Sequence, residues 1–475
     1  MSYDEREESV FLQESISLEG KRELRRQRRR KNQLIARIFM VVFLLLLLTG
    51  IVIGVSFLGK KINDSQEVTG TEGTELLLTE ETEAGYIEQA EESLGETASE
   101  DAVGATEEES AAEESIEETI EQADESEALE LAIETLISEM TLEEKVAGIF
   151  LVCPEDITGV NTAVQAGEGT KKALEEYPVG GIVYYGKNIK SQEQIKEMIA
   201  NSVSYSKYPL FISVDEEGGE VARFANGLKL ENPGHMNTIG KTKDPQKAKE
   251  AMTQIGSYLK EYGVNLNFAP VADILREEGK GFLKNRSFST DTSVVSDMVV
   301  SALEGLKEQK VTGCVKHFPG IGEADEDTHD QMLVINRTKE ELMAKELLPF
   351  MAAIEAGAEM IMVAHTSYPE IVGDNTPASL SKEIITEILR GELGYNGVVI
   401  TDALNMAAVT EYYGADEAAI KALKAGSDML FMPEDFELAY QGVLDAVIEG
   451  TISEERIEDG LRRIYRIKYK ESIEP

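Results

Sequence analysis

Apolar residues fall into two regimes along this chain. Ile38 to Gly59 is a single uncharged run, IFMVVFLLLLLTGIVIGVSFLG, whereas from about Glu127 short β-branched runs alternate with amphipathic stretches. Eight of these runs read as strands: GIFLVC (148–153), GGIVYY (180–185), LFISVD (210–215), VNLNFA (264–269), VTGCVK (311–316), EMIMVA (359–364), GVVITD (397–402) and DMLFM (428–432). Between them, stretches such as 292–309 and 338–356 carry apolar residues at helical spacing, and Thr141 with Glu144 forms a capping-box signal. Eight apolar strands alternating with helices predict an α/β fold, a (β/α)8 TIM-type barrel. A doubly wound open sheet is the alternative. It usually has fewer strands, and a dinucleotide-binding version opens on a glycine-rich turn that is missing after the first run.

The 22-residue run 38–59 is long enough, at about 1.5 Å per helical residue, to cross a bilayer core of roughly 30 Å. Nine Lys or Arg lie between Lys21 and Arg37, just before it. The positive-inside rule therefore places residues 1–37 in the cytoplasm and the rest of the chain outside the cell membrane. A cleaved signal peptide is the rival, but its basic region would be unusually long and no small-x-small site closely follows the run. The expected organisation is a basic tail (1–37), a transmembrane signal anchor (38–59) contacting the lipid bilayer, an acidic linker (60–126) and a catalytic domain (127–475).

Charge changes the picture in one place. The net charge is −43, yet 25 acidic and no basic residues lie between Ile62 and Glu130. This segment has few large apolar residues to offset the entropy of ordering, so it reads as a disordered, self-repelling spacer. With no basic face beyond the membrane run, nucleic acid is excluded as a partner. Cys153 and Cys314 sit in apolar runs that would lie across a barrel from each other, too far apart to bridge. They read as small buried residues, and no ligand spacing points to a metal.

Reactive groups in such a barrel gather where strands end. Those positions hold Asp215 in SVDEEGGEVARF, Asp273 in APVADI, Arg286 in KNRSFSTD, Lys316 and His317 in VKHFPGIGEADEDTHD, His365 in VAHTSYP and Asp402 in ITDALNM. Three of the chain's four histidines (His317, His329 and His365) belong to this set. Taken singly, each has an ordinary explanation: a helix cap, a loop pair or a surface ion pair. Together, three Asp, two Arg, a Lys and three His on one rim are costly unless they pair with each other or bind a polar ligand.

The segments DEEGGEVARF, NFAPVADI, NRSFSTD, KHFPGIGEADEDTHD and PASLSKEIITEILRGELGYNGVVITDALNM resemble glycoside hydrolase family 3, in its single-domain β-N-acetylglucosaminidase branch. Their order and spacing follow that family from about residue 140 to 435. The resemblance implies that Asp402 is the nucleophile of a covalent glycosyl-enzyme. It implies that His329, paired with Asp327, is the acid/base, and that Asp215, Arg223, Arg286, Lys316 and His317 hold the terminal sugar. An imidazole suits the acid/base role because its pKa lies near neutrality, and the Asp partner fixes its tautomer. One position departs: the family commonly has a second His in the glycine turn after KHFP, where this chain has Ile321.

The expected activity is that of a retaining exo-β-N-acetylhexosaminidase, without cofactor or metal, acting on terminal N-acetylglucosamine of cell-wall-type glycans such as peptidoglycan fragments. A β-glucosidase-like member of the family is one alternative. Such enzymes usually take a Glu acid/base from a second domain, which this sequence is not expected to hold. A catalytically silent surface glycan-binding protein is the other.

Overall fold

The computed structural model describes residues 127–322 and 332–470. The tail, the membrane run 38–59 and the linker 60–126 lie outside these residues, as do Asp327 and His329. Among the described residues no helix is long and apolar enough to cross a membrane.

The strands in chain order are β1 (Phe150–Val152), β2 (Gly181–Val183), β3 (Phe211–Val214), β4 (Glu216–Gly218), β5 (Val221–Ala222), β6 (Leu266–Asn267), β7 (Thr312–Phe318), β8 (Met360–Val363), β9 (Val398–Thr401) and β10 (Leu430–Phe431). Eight of them form one sheet in the order β10-β1-β2-β3-β6-β7-β8-β9. All seven neighbouring pairs are parallel, with registers such as Ile182↔Ile212, Val214↔Asn267 and Met362↔Ile400. The two ends of the sheet meet. Ile400 bridges Met429 in parallel, and the Leu404 amide donates to the Phe431 carbonyl at 2.8 Å. Each of the eight expected runs supplies one strand of this barrel.

Every residue of β1, β2, β3, β8 and β9 is buried. Strands covered by helices on one face and by the barrel interior on the other need apolar residues at every position, which explains the unbroken runs. Phe268 and Phe431 pack with ring centroids 4.9 Å apart. Thr141 caps its helix through the reciprocal bonds expected with Glu144. Cys153 and Cys314 are free and buried, and Cys153 stands just past β1 as the N-cap of Pro154–Thr158.

The stretch 338–356 differs from expectation. It forms two helices, Lys339–Ala344 and Leu348–Glu355, with Lys345 breaking the path between them. Pro349 is the cause: it has no amide to donate, and its ring would strike the carbonyl four residues back, at Lys345.

At the base of the barrel, opposite the strand ends, Asp428 is 1% exposed and faces three arginines. Arg390 comes from the helical segment Glu383–Glu392 before β9, while Arg456 (3.5 Å) and Arg463 (3.2 Å) come from the last helix, Glu454–Tyr469. The same carboxylate accepts the Val399 amide at 2.9 Å, so one buried acid ties the final helix to β9 and β10.

Candidate active site

The strand ends of the barrel open into a pocket of about 200 Å3. Asp215, Arg223, Arg286, Lys316, His317 and Asp402 all line it, although they come from segments nearly 190 residues apart in sequence. Other grooves lie at the opposite end of the barrel, around Gly313, Ala358 and Glu359, and bring no comparable set of groups together.

Glu217, which sequence reasoning did not single out, is the hub of the pocket's charge. Its carboxylate takes a two-pronged contact from Arg286, with Nε at 2.7 Å and Nη2 at 2.8 Å. It also meets Lys316 Nζ at 2.7 Å, and Lys316 in turn reaches Asp215 Oδ1 at 2.8 Å. Burial alone would raise the Glu217 pKa, but Lys316 and Arg286 outweigh it and hold the carboxyl well below its ordinary value. Burial would likewise depress Lys316, and Asp215 and Glu217 reverse that, so the ammonium stays charged. Two fixed cations and the outer carboxylate of Asp215 thus face the cavity, an arrangement suited to sugar hydroxyls.

His317 is set by Asp273, which is fully buried. Asp273 Oδ2 lies 2.7 Å from His317 Nδ1 and accepts the His317 amide at 3.1 Å, while Oδ1 accepts the Ile321 amide at 2.7 Å. A carboxylate facing three donors makes Nδ1 the protonated ring nitrogen and leaves Nε2 for the pocket. The turn at Ile321 is therefore secured through its backbone, which any side chain at this position provides. The Ile321 side chain packs with Leu275, Leu283 and Ala364 in a small apolar cluster beside the pocket.

Asp402 follows β9, its amide held by the Val363 carbonyl at 2.8 Å. Burial pushes its pKa up, but His365, His317, the Ala403 amide and Lys316 together pull it below the ordinary value. The group is a carboxylate at neutral pH. His365 lies behind it rather than in the pocket: fully buried, it donates from Nε2 to the Ala403 carbonyl (2.9 Å) and pairs through Nδ1 with Ser379 Oγ (2.7 Å). Ala403 in turn donates its amide to Asp402 Oδ1 at 2.7 Å. His365 is thus a support for the backbone beside Asp402, not a member of the polar rim.

Arg223 reaches the pocket because the chain turns back after β3. Gly218 (φ 100°) and Gly219 (φ 61°) make this turn in the left-handed region, and a Cβ on Gly219 would come within 2.3 Å of His235 Nδ1. The hairpin β4–β5 delivers the chain to the short helix Arg223–Leu228. The Arg223 guanidinium carbon lies 5.9 Å from the Tyr185 ring centroid, and Nε is buried without a hydrogen-bond partner among the described residues.

Among the described residues no group of three or more His, Cys, Asp or Glu converges on a metal position. The chemistry available is that of an ionised carboxylate at the floor of a small polar pocket, flanked by fixed cations and an oriented imidazole.

Residues 141–467 match the Glycosyl hydrolase family 3 N terminal domain. The chain is 31% identical over 327 residues to "Beta-hexosaminidase A" of Pseudoalteromonas piscicida, an alignment covering 62% of this chain and 54% of that protein. It is 36% identical over 265 residues to a "Beta-hexosaminidase" of Stenotrophomonas maltophilia (strain R551-3), covering 54% and 77%. Among solved structures it resembles a family 3 β-N-acetylglucosaminidase from Paenibacillus sp. str. FPU-7, with TM-score 0.64 and 34% identity, over 70% of this chain and 63% of that one. The chain thus spans about half of the first of these relatives and under two thirds of the solved structure. The family match runs from the helix before β1 to the one that seals the barrel base, and the chain belongs to glycoside hydrolase family 3.

Proposed function

We propose that this protein is a retaining exo-β-N-acetylhexosaminidase that removes terminal N-acetylglucosamine from cell-wall-type glycans. The observation that carries this reading is Asp402: an ionised carboxylate in the strand-end pocket that Asp215, Arg223, Arg286, Lys316 and His317 also line. A pocket of that volume accommodates about one sugar ring, which favours attack at a chain end. The names of the two relatives, both beta-hexosaminidases, support the amino-sugar preference.

In the proposed reaction the Asp402 carboxylate attacks the anomeric carbon as the bond to the leaving oxygen breaks. His329, as imidazolium, gives that oxygen its proton, and Asp327 stabilises the cation beforehand. The neutral imidazole then takes a proton from water, whose oxygen displaces Asp402 and regenerates both groups. The membrane anchor at 38–59 and the acidic linker would hold the barrel outside the cell, where such glycans lie.

The test is a panel of nitrophenyl β-glycosides. Cleavage of the N-acetylglucosaminide well ahead of the glucoside is expected, and the reverse order would overturn the amino-sugar assignment. His329→Ala supplies a further prediction. It should slow substrates with poor leaving groups by about 100-fold or more, in the range of general acid catalysis, and activated aryl glycosides much less. Equal losses on both would remove His329 from the acid/base role.

A further inference from the structure

Glu216 stands between two pocket residues but does not line the pocket. It is fully buried and points the opposite way from Asp215 and Glu217. Asn267 clamps its backbone from both sides: the Glu216 amide donates to Asn267 Oδ1 (3.0 Å), and Asn267 Nδ2 donates to the Glu216 carbonyl (2.9 Å). Its carboxylate accepts the amides of Phe224 and Ala225, each at 2.8 Å, and the Tyr258 hydroxyl at 2.8 Å. The Arg223 amide itself goes to the Asp215 carbonyl at 3.4 Å. The first three amides of the Arg223–Leu228 helix are therefore all taken by Asp215 and Glu216. A helix start normally leaves these donors without partners, and here two of them bind the buried Glu216 carboxylate and the third the Asp215 carbonyl.

We propose that Glu216 is a positioning residue for the reaction: its carboxylate caps the Arg223–Leu228 helix and so holds the Arg223 guanidinium in the sugar pocket. The proposal rests on reading that pocket as a sugar site. Arg223 needs such a hold because its Nε has no partner among the described residues and its guanidinium lies 5.9 Å from the Tyr185 ring centroid. Only an ionised carboxylate accepts all three donors. A carboxylic acid, or a glutamine amide, turns one of its own hydrogens against a backbone N–H.

This makes the cap sensitive to pH. Burial pushes the Glu216 pKa up to about 7, against the opposing pull of the Ala225 and Phe224 amides, Tyr258 and Arg223. The charged or titratable groups facing it are Tyr258 from the helix Pro245–Glu261 and Arg223 from the short helix. Asp215 and Glu217 flank it along the chain and turn to Lys316.

The experiment compares KM and kcat of the full protein, three single variants and one double variant on 4-nitrophenyl N-acetyl-β-glucosaminide across the neutral range. Wild-type KM is expected to rise as pH falls through about 7. Glu216→Gln should show a KM raised about fivefold, the equivalent of one lost hydrogen bond, with kcat changed little and no KM dependence in that range. Tyr258→Phe, which keeps the carboxylate but removes a donor favouring its ionised form, should move the KM limb to higher pH. In an Arg223→Ala background, Glu216→Gln should add nothing further. A Glu216→Gln KM within twofold of wild type, or effects of Glu216→Gln and Arg223→Ala that multiply, would overturn the proposal. If Glu216→Gln fails to fold, an unmoved limb in Tyr258→Phe overturns it instead. Should the wild type prefer another β-glycoside, the same variants are read on that substrate. The sugar assignment then falls while the coupling between Glu216 and Arg223 is judged on its own.

Discussion

Asp402→Ala is expected to lower kcat/KM by about 10,000-fold, roughly 5 kcal/mol of barrier, while leaving the barrel folded. The size follows from the proposed role: without the carboxylate no covalent intermediate would form, and the remaining groups would only bind and orient the sugar. The same variant tests stereochemistry. Azide is small enough to occupy the space left by the carboxylate and would attack the face that Asp402 uses. Turnover should return with added azide and yield a glycosyl azide of inverted configuration. Residual activity within 100-fold of wild type, or no azide product, would take the nucleophile's role away from Asp402.

Glu217→Gln is expected to destabilise the fold by about 3–5 kcal/mol, measured by urea unfolding, because Lys316 and Arg286 then lose their shared counter-ion in a buried site. kcat/KM should fall as well, since the two cations lose the group that aims them. The pH dependence has a definite sign. Glu217 has its folded-state pKa depressed below the ordinary 4.5. Its charged form therefore contributes stability that is complete above 4.5 and is lost as pH falls through the lower folded value. The gap between wild type and Glu217→Gln should narrow in strong acid and stay wide at neutral pH. A gap that is constant down through the acid range would mean that Glu217 acts by shape and not by charge.

The barrel was legible from the chain because its strands are buried on both faces, so GVVITD or EMIMVA stands out as continuous apolar sequence. Strand-end positions then pointed to Asp215, Lys316, His317 and Asp402, and all four line one pocket. The roles of neighbours were harder to read. In DEEGG three acids run in succession, and only the alternation of an extended chain separates Asp215 and Glu217, turned to the pocket, from Glu216, turned away. That signal was present in the sequence, but its use required knowing that the chain stays extended past β3. Asp273 and His317 are 44 residues apart, and their pairing depends on the register between neighbouring strands, which no local pattern encodes. His365 shows the opposite error. It closes β8 as a reactive group would, yet its ring turns back to carry Ala403. The break at Lys345 could have been foreseen from Pro349, where apolar spacing outweighed the one residue that forbids a continuous helix.

The way the ring closes has a consequence for how the molecule is made. β1 cannot gain its second neighbour until β10 exists, some 280 residues later, and β10 is secured by Asp428 to arginines on the last helix. During synthesis from the N-terminus, β1 and then β9 therefore present open edges until the chain has emerged to about Arg463. A ribosome stalled, or a message cut, even 20 residues before that helix would release a sheet with two unpaired sides. Such a product is a candidate for proteolysis or for pairing with other chains. Closure of the ring thus waits on the last helix, whose arginines meet Asp428 at the base of the barrel, on the far side from the strand-end pocket.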